Sequence, residues 1–412
     1  MTTNPDVLVI GAGPSGLTAA TELRLRTGAS VVVLERERTA GGIPRHSDHI
    51  GYGMRDLHTV TTGPRYAARL VDAALDAGVE LRTGTMVTAW TPETGAECTS
   101  PAGHSRLRGR VTLLATGARE RPRSARMIPG GRPAGVLTTG ELQNTVHLHH
   151  RGAGTKAVVV GGELVSWSAV MTLREAGCET VAMVTRHARP ESYGVFNLGG
   201  RAMFRTPLAT HARVTQVLGR HRVTGVELED SRTGERRIVE CDTVVFTGDW
   251  IPDHELARAG GLALDPGTRG PLVDALGRTS HVGVFAAGNA VHPVDTADVA
   301  ALGGRHAAGA IARFLAHPDS PAWGGGLRIE VAAPLRWASP GWFHPHLPPA
   351  RQRILTWSEE YIGAPTVTVS QAGAVIGRRR LPWPASPGRV FRIPWSLLTG
   401  AVPGAGPITI SL

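Results

Sequence analysis

Three glycines near the start of the chain have the spacing of a turn that binds a dinucleotide. Gly11, Gly13 and Gly16 follow an apolar run and precede an alanine-rich segment, which is the strand, turn and helix context that this motif requires. The first glycine allows the tight turn, the second leaves room for a pyrophosphate, and the third lets helix and strand pack closely. The helix N-terminus then offers amide groups to the phosphates. The sequence therefore predicts a dinucleotide site at this turn.

An acidic residue follows the next predicted strand. The run from Ser30 to Leu34 is rich in valine, and Glu35 comes directly after it. A carboxylate about 20 residues beyond such a turn accepts hydrogen bonds from an adenosine ribose. Glu35 is thus predicted to bind the ribose.

A second strand, turn and helix pattern lies in the middle of the chain, but its turn lacks two glycines. After Gly161, the second and third glycine positions are occupied by Glu163 and Ser166. A carboxylate there would repel a pyrophosphate, and no acidic residue ends the following strand. Arg186 and His187 follow that strand instead, and their charge is the one feature that favours NADP. We expect this second turn to bind NAD(P) poorly.

Composition and cysteine spacing narrow the class of protein. A chain of 412 residues that is 42% hydrophobic is long enough for two or three domains. Cys98, Cys178 and Cys241 are far apart and form no C-x-x-C pair, so the sequence predicts no redox disulfide, no iron–sulfur cluster and no metal site. Such cysteine usage is typical of a reducing cytoplasm.

The strong positive charge does not indicate a nucleic-acid partner. The net charge is +10, but the basic residues are scattered and the longest basic run is Arg378, Arg379 and Arg380. Nucleic-acid binding would favour a clustered basic patch with aromatic side chains. No apolar run reaches the ~18–20 residues of a membrane span, and no signal peptide is evident. We therefore expect a cytoplasmic protein with neither nucleic acid nor membrane as a partner.

The order of patterns predicts an α/β protein with three domains. A first Rossmann-like domain is expected over residues 1–120 and 247–322, and a second, degenerate NAD(P)-type domain is inserted over residues 121–246. Residues 119–154 are predicted to be a connecting stretch because they are rich in Pro, Gly and Arg. The alternating segments 214–229 and 236–246 favour antiparallel strands. Residues 323–412 are predicted to form a small β-rich domain, which contains Trp323 and five further tryptophans.

Three strands that end in glycine carry a resemblance to a known family. They end at Gly11, at Ala115, Thr116 and Gly117, and at Gly288 and Asn289. Together with the inserted domain, over about residues 5–318, they resemble the flavoproteins with two dinucleotide-binding domains that are related to thioredoxin reductase and the disulfide oxidoreductases. The resemblance implies that FAD binds to the first domain. Asn289 differs from the usual aspartate of that family, but an asparagine still accepts a hydrogen bond.

The same resemblance implies which residues contact FAD. Gly11, Gly13 and Gly16 would lie at the pyrophosphate and Glu35 at the adenosine ribose. The adenine side would be lined by Val87, Ala115, Thr116 and Gly117. Gly288 and Asn289 would contact the ribitol. Thr296 and Ala297 would lie at the flavin carbonyl edge, where a helix dipole stabilises the reduced flavin. Further expected contacts come from Pro14, Ser15, Arg36, Gly42 and Ile43.

A narrower resemblance concerns the flavin subunits of hydrogen cyanide synthase, opine oxidases and heteromeric proline or hydroxyproline dehydrogenases. It rests on the segments 115–122, 133–140 and 41–46. Those relatives oxidise C–N bonds of amines and amino acids. This chain lacks the cysteine-rich iron–sulfur segment of several of them, so O₂ and a partner protein both stay open as electron acceptors.

The chemistry that this resemblance implies is a hydride transfer from the carbon beside nitrogen to flavin N5, which leaves an imine that hydrolyses. Arg45 could pair with a substrate carboxylate, and His46, His49 or His292 could take a proton from the ammonium group. Two alternatives remain open. One is an NAD(P)H-dependent flavin reductase without a redox disulfide, and the other is a flavin-holding subunit of a larger complex. The sequence is compatible with a partner subunit or a homodimer and leaves the oligomeric state open.

Overall fold

Two compact units make up the described part of the chain. The structure, a computed structural model, describes residues 4–93, 95–293, 295–318 and 326–412. One unit takes its residues from Met1–Arg45, Ile50–Ala118 and Ile251–Leu412, and the other from His46–His49 and Arg119–Trp250. The second unit is therefore largely an insertion into the first. The residue boundaries of the three expected domains stay predictions.

Seven α-helices lie within the described residues. In chain order they are α1 Pro14–Thr27, α2 Gly63–Asp76, α3 Thr139–Gln143, α4 Leu164–Glu175, α5 Gly194–Phe204, α6 Glu255–Ala259 and α7 Ala297–Ala316.

A parallel sheet forms the centre of the first unit. Its five strands lie in the spatial order Val284–Ala286, Val111–Leu114, Val7–Ile10, Val31–Leu34 and Glu80–Arg82. Every residue of the first four strands is buried, whereas the last strand is only half-buried at the edge. Continuous apolar strands are what a parallel sheet covered on both faces requires.

The two faces of this sheet carry separate apolar cores. Val7 and Val9 pack with residues of α1 and α7 on one face, whereas Leu8 and Ile10 pack with Trp90 on the other. Trp90 lies on an antiparallel sheet of the strands Met86–Thr91, Gly95–Ser100 and Gly103–Leu107. A two-stranded pair, Ile50–Tyr52 and Thr61–Thr62, precedes α2.

Helices α1 and α7 approach each other closely. A Cβ atom at Gly304 of α7 would lie 2.1 Å from the carbonyl oxygen of Ser15 in α1. Glycine is therefore required there for the two helices to pack. This contact holds the start of α1 next to the first turns of α7.

The second unit also contains a five-stranded parallel sheet. Its strands lie in the order Val136–Thr138, Thr243–Phe246, Lys156–Val160, Glu179–Val184 and Leu208–Ala209. An antiparallel sheet follows, built from Ala212–Leu218, Gly225–Asp230 and Arg236–Glu240.

Two expectations for this unit were wrong in part. Residues 119–154 are not only a connection, because Val136–Thr138 is an edge strand of the parallel sheet and α3 follows it. Residues 236–246 are not one antiparallel strand either. Arg236–Glu240 is antiparallel, but Thr243–Phe246 turns into the parallel sheet, where all four of its residues are buried. A short apolar run has the same appearance in both kinds of strand, and tertiary pairing decides between them.

The C-terminal residues form a β domain within the first unit. One sheet has the order Trp342–Phe343, Leu327–Val331, Ile408–Ser411, Thr366–Gln371 and Ala374–Arg380, and the other has Leu335–Ser339, Arg353–Ser358 and Phe391–Pro394. Ile329, Val367 and Ile393 lie in their shared core. Trp323 lies outside the described residues. The chain therefore has the expected α/β fold with two Rossmann-like sheets and an additional β domain.

Candidate functional site

The first glycine turn leaves an open surface above α1. A Cβ atom at Gly16 would lie 2.0 Å from the carbonyl oxygen of Gly11, so Gly16 is required for packing. A Cβ atom at Gly13 would have no neighbour within 4 Å. The backbone at Gly13 thus faces open space, as the approach of a pyrophosphate demands.

Residues distant in sequence converge on this turn. A Cβ atom at Gly42 would lie 2.9 Å from Cα of Gly13, and one at Gly288 would lie 2.8 Å from Cβ of Ser15. Pro14 is the first residue of α1, and Ile43 begins a 3₁₀ turn next to Gly42. The structure therefore brings three of the predicted segments together around the start of α1.

Ser15 is a polar side chain without a protein partner. Its Oγ is buried and makes no hydrogen bond within the described residues. A buried hydroxyl in a native protein normally has a partner. This one lies at the start of α1, where the helix also offers amide groups to a phosphate.

Glu35 is buried and connects the turn to the end of the second strand. Its Oε2 accepts a hydrogen bond from the backbone N–H of Ala12 at 3.0 Å, and its Oε1 accepts one from the N–H of Glu37 at 2.9 Å. Each carboxylate oxygen has further lone pairs for a hydroxyl donor. The role of Glu35 at a ribose stays a prediction.

The segment after the strand Val111–Leu114 is fixed by Asp253. Thr116 Oγ1 donates to the carbonyl oxygen of Asp253 at 2.7 Å, and the N–H of Asp253 donates to Gly117 at 2.9 Å. Arg36 forms an ion pair with the carboxylate of Asp253 at 3.6 Å. Arg36, Thr116 and Gly117 are thus neighbours through Asp253, and their contacts with FAD stay predictions.

Ala115 and Val87 are buried instead of exposed to a groove. Val87 lies on the strand Met86–Thr91 and packs in the apolar core under the sheet. Ala115 continues the buried strand, and its N–H donates to Ile10 at 2.9 Å. Their proximity to an adenine stays a prediction.

Asn289 is held by a reciprocal pair of hydrogen bonds. Its Nδ2 donates to the carbonyl oxygen of Asp295 at 3.1 Å, and the N–H of Asp295 donates back to its Oδ1 at 3.0 Å. Thr296 is the N-cap of α7, but its hydroxyl bonds to the Asp298 carboxylate instead of to the helix backbone. Ala297 is the first residue of α7.

The four candidate catalytic side chains divide between the two units. Arg45 and His292 belong to the first unit, and His46 and His49 belong to the second. Arg45 pairs with Glu37. Burial lowers the pKa of His292 below its ordinary value, although the carboxylate of Asp295, 3.6 Å away, acts in the opposite direction. Burial therefore favours the neutral imidazole of His292, whereas Asp295 would stabilise its protonated form.

His49 lies in a polar network that the sequence did not predict. Its Nε2 is 2.7 Å from Ser168 Oγ and 3.0 Å from Ser47 Oγ. Gln143 donates to both hydroxyls, at 2.8 Å and 3.2 Å. A nearby histidine, His147, bonds to the carbonyl oxygen of His46, which is buried. These partners are scattered along the chain with no motif to mark them, so only the tertiary structure reveals the network.

The second glycine turn is filled by the side chain of Glu163. Its Oε2 accepts from Ser166 Oγ at 3.0 Å and from Thr247 Oγ1 at 3.1 Å. A Cβ atom at Gly248 would lie 2.2 Å from its Oε1. The carboxylate therefore folds over the turn instead of pointing to solvent.

A further carboxylate, which sequence reasoning missed, covers the same turn. Glu191 is 6% exposed, and its Oε2 lies 2.3 Å from the place of a Cβ atom at Gly162 and has no hydrogen-bond partner within the described residues. Its Oε1 accepts from Thr185 Oγ1 at 2.9 Å. Burial and the charge of Glu163 raise the pKa of Glu191. Two acidic groups thus occupy the turn.

The three cysteines are separate and buried. Cys98, Cys178 and Cys241 are free thiols, and burial raises the pKa of Cys178 to about 12 and that of Cys241 to about 11. No group of three His, Cys, Asp or Glu side chains in the described ranges could hold a metal ion. Over the same ranges, no helix is both long and apolar enough to cross a membrane.

Comparisons with known proteins agree with this architecture. Residues 5–304 match the pyridine nucleotide-disulphide oxidoreductase family. The ferredoxin–NAD(+) reductase component of the biphenyl dioxygenase system from Paraburkholderia xenovorans (strain LB400) is 30% identical over 69% of this chain and 66% of its own length. An opine oxidase subunit from Agrobacterium tumefaciens (strain Ach5) is 28% identical over 74% of this chain and 64% of its own length. This chain thus spans about two thirds of each relative.

A solved structure shows the same fold. Thioredoxin reductase from T. acidophilum superposes with a TM-score of 0.64 and 23% identity, and the match covers 76% of this chain and 99% of that one. The open turn at Gly13, the unpartnered Ser15 hydroxyl and the buried Glu35 fit FAD, the cofactor of this family. The chain therefore belongs to the pyridine nucleotide-disulphide oxidoreductase family and is an FAD-dependent oxidoreductase.

Proposed function

We propose that this chain oxidises a C–N bond of an amine or amino acid. The observation that carries the proposal is the second glycine turn, which is filled by the side chains of Glu163 and Glu191. A flavoprotein that does not take electrons from NAD(P)H must take them from another substrate. In this fold, that substrate would have to reach the flavin directly.

The acidic turn disfavours a nicotinamide cofactor for two reasons. The Glu163 side chain lies over the backbone that a pyrophosphate would approach, and its charge repels phosphate. Moving it away would break its hydrogen bonds to Ser166 and Thr247. Together these effects would weaken NAD(P) binding by ~2–4 kcal/mol, which is tens to several hundred-fold in affinity.

The cysteines argue against disulfide reduction. The nucleophile in thiol–disulfide exchange is a thiolate, but burial raises the pKa of both Cys178 and Cys241 well above neutral. Cys98 is also buried, and burial raises its pKa as well. These thiols therefore stay protonated and packed in apolar cores.

The chemistry needs little more than orientation from the protein. FAD supplies an acceptor for the hydride that leaves the carbon beside the substrate nitrogen. The residues of the chain hold the substrate and receive the proton from its ammonium form. His292 is the candidate for the second task because the Asp295 carboxylate, 3.6 Å away, would stabilise the imidazolium that forms. The product imine then hydrolyses in water.

The relative named as an opine oxidase subunit supports the same assignment, since opine oxidation is stated in its name. The match is 28% identical and spans 64% of that protein. A partner protein or O₂ would then receive the electrons from the flavin.

A second function is favoured by a different observation. The ferredoxin–NAD(+) reductase component is 30% identical to this chain, and Arg186 follows the strand Glu179–Val184, where a cation could bind a 2′-phosphate. In that case, the chain would be an NAD(P)H-dependent flavin reductase without a redox disulfide, or the flavin-holding subunit of a larger complex.

Anaerobic mixing of the FAD-loaded protein with candidate reductants distinguishes these functions. We expect secondary amines or amino acids to bleach the flavin at rates that saturate with their concentration, and NADH and NADPH to do so slowly or not at all. Rapid bleaching by NADPH that saturates at micromolar cofactor would overturn the proposal in favour of the reductase. If no small molecule reduces the flavin, the chain is a flavin-holding subunit whose substrate site lies on a partner.

A further inference from the structure

Two arginines pair with buried aspartates at the start of α7, and a third arginine belongs to a turn that contacts this helix. Arg55 Nη1 donates to Asp298 Oδ2 at 3.0 Å, and Arg392 Nη2 donates to Asp295 Oδ1 at 3.4 Å. Only 3% of the Asp298 side chain and 4% of the Asp295 side chain are exposed. The third arginine, Arg351, is exposed. We refer to Arg55, Arg351 and Arg392 as the arginine cluster.

The fold fixes the place of Arg351. It belongs to the 3₁₀ turn Ala350–Gln352, which contacts α7. Both Arg351 and Gln352 have positive φ, 58° and 54°, a conformation that costs about 1–2 kcal/mol for each residue other than glycine. Surrounding contacts must compensate for that cost, and the contact of the turn with α7 is one of them.

One arginine of the cluster has no ion-pair partner among the described residues. Arg55 and Arg392 each pair with a carboxylate, whereas Arg351 makes no ion pair with any described residue. Although Arg351 is exposed, partial desolvation lowers its pKa, and the like charges of Arg392 and Arg55 lower it further, against the opposing effect of Asp295 and Asp298. A third carboxylate, Asp56, lies near the start of α7, because the Tyr66 hydroxyl bonds both to Asp56 and to the carbonyl oxygen of Ala297. The N-terminus of α7 adds positive charge. Arg351 is therefore the guanidinium of the cluster that is left for an anionic ligand.

The accessible surface of the cluster is suited to a small anion. The side chain of Arg55 is 40% exposed and that of Arg392 is 28% exposed, so both can bond to a ligand while they keep their aspartate partners. A guanidinium group has five N–H donors, and a carboxylate accepts two of them in parallel. Asp295 and Asp298 therefore orient the donors without using all of them.

We propose that the arginine cluster binds the carboxylate of an amino-acid substrate, so that the C-terminal β domain supplies the residues that select the substrate. This inference rests on the proposed function. Arg351 and Arg392 come from that domain, whereas Arg55 and α7 come from the Rossmann-like part of the same unit. A carboxylate held there would lie at the start of α7, beside Thr296 and Ala297, which the family resemblance assigns to the flavin edge.

The assignment differs from the sequence expectation for Arg45. The guanidinium of Arg45 is paired with Glu37, so a substrate carboxylate would have to compete with that partner. Arg351 has no such ion-pair partner among the described residues. The arginine cluster is therefore the better match to an anionic substrate.

The test uses the FAD-loaded full-length chain and the variant R351A. Propionate, which has no amine to oxidise, serves as the binding probe, and propionamide is its neutral counterpart. We expect calorimetry to show that R351A weakens propionate binding about tenfold or more. The control R379A removes an exposed arginine from a strand of the same domain, and it should leave propionate binding unchanged.

A second measurement compares melting temperatures and uses the repulsion between the guanidinium groups of the arginine cluster. Without an anion, R351A should melt at the same or a higher temperature than the wild type, because one like charge is gone. Propionate should raise the melting temperature of the wild type and of R379A, but not that of R351A. A stabilisation by propionate that R351A retains would overturn the proposal, whatever the activity of the enzyme.

Kinetics separate this inference from the proposed function. If amino acids reduce the flavin, R351A should raise their KM about tenfold or more with little change in kcat, while the matching amines without a carboxylate are unaffected. An equal effect on both would overturn the inference alone. If no amine or amino acid reduces the flavin but propionate binding depends on Arg351, the proposed function fails and the anion site stands. Binding of inorganic phosphate more tightly than propionate would reject the substrate-carboxylate assignment.

Discussion

The side-chain amide of Asn289 makes two hydrogen bonds with the backbone of Asp295. The amide Nδ2 of Asn289 donates to the carbonyl oxygen of Asp295, and its Oδ1 accepts from the N–H of Asp295. An aspartate could fill only the second of these roles. The departure from the aspartate of related flavoproteins is thus explained, because this position needs a donor as well as an acceptor. These two hydrogen bonds also fix the position of Asp295, the partner of Arg392 and His292.

The variant N289D should destabilise the protein. It removes the bond to the carbonyl oxygen of Asp295 and places a carboxylate against that oxygen, a loss of ~1–2 kcal/mol. For a domain of this size, about 2–8 °C in Tm is expected. Calorimetry of the FAD-loaded protein measures the shift. The control N144D adds the same charge at a side chain that makes no hydrogen bond within the described residues, and it should melt close to the wild type.

The variant G13E should lose FAD without losing its fold. No atom lies within 4 Å of a Cβ at Gly13, so the apoprotein can accommodate the side chain, whereas a pyrophosphate at the turn could not. FAD content after purification should fall at least about tenfold, with an unchanged far-ultraviolet circular dichroism spectrum. The control G152E introduces the same residue at another open glycine and should keep its flavin. Full occupancy in G13E would show that the pyrophosphate binds elsewhere.

The variant E191Q should stabilise the chain, and the gain should depend on pH. Burial and the charge of Glu163 raise the pKa of Glu191 above its ordinary value of 4.5. Between 4.5 and the raised value, the folded chain keeps a proton that the unfolded chain has released, so the free energy of unfolding falls as the pH rises. Glutamine carries no such penalty. Each unit of raised pKa corresponds to about 1.4 kcal/mol.

Urea unfolding of wild type and E191Q at about pH 5 and about pH 8 measures this difference. The two chains should be similar at the lower pH, and E191Q should be more stable at the higher pH. The control E235Q changes an exposed glutamate on the same unit, and its effect should not vary in this way. A gain at about pH 5 that disappears at about pH 8 would contradict the raised pKa.

The thiols should be unreactive in the folded protein. Cys98, Cys178 and Cys241 are all buried, and burial raises the pKa of each. Ellman's reagent should therefore label fewer than one thiol in the native protein and all three in urea. Rapid labelling of two thiols in the native state, followed by loss of flavin reduction, would instead indicate a redox role.

The sequence by itself determined the two Rossmann-like sheets and the cofactor class. A buried parallel strand is a continuous apolar run, and the turn after it needs glycines at fixed spacing, so Gly11, Gly13 and Gly16 identify the first domain without any tertiary information. The same glycine spacing showed that Glu163 occupies a glycine position of the second turn. Strands that are short and lie at sheet edges, such as Val136–Thr138, escaped prediction because three residues carry too little pattern.

The tertiary structure alone decided which side chains meet. Glu191 covers the turn that Glu163 fills although 28 residues separate them in the sequence, and Arg351 and Arg392 join Arg55 across more than two thirds of the chain. No sequence spacing encodes such contacts, because they depend on how β sheets and helices pack against each other. Local pattern thus determines where the glycine turns lie, whereas packing decides which charged side chains surround them.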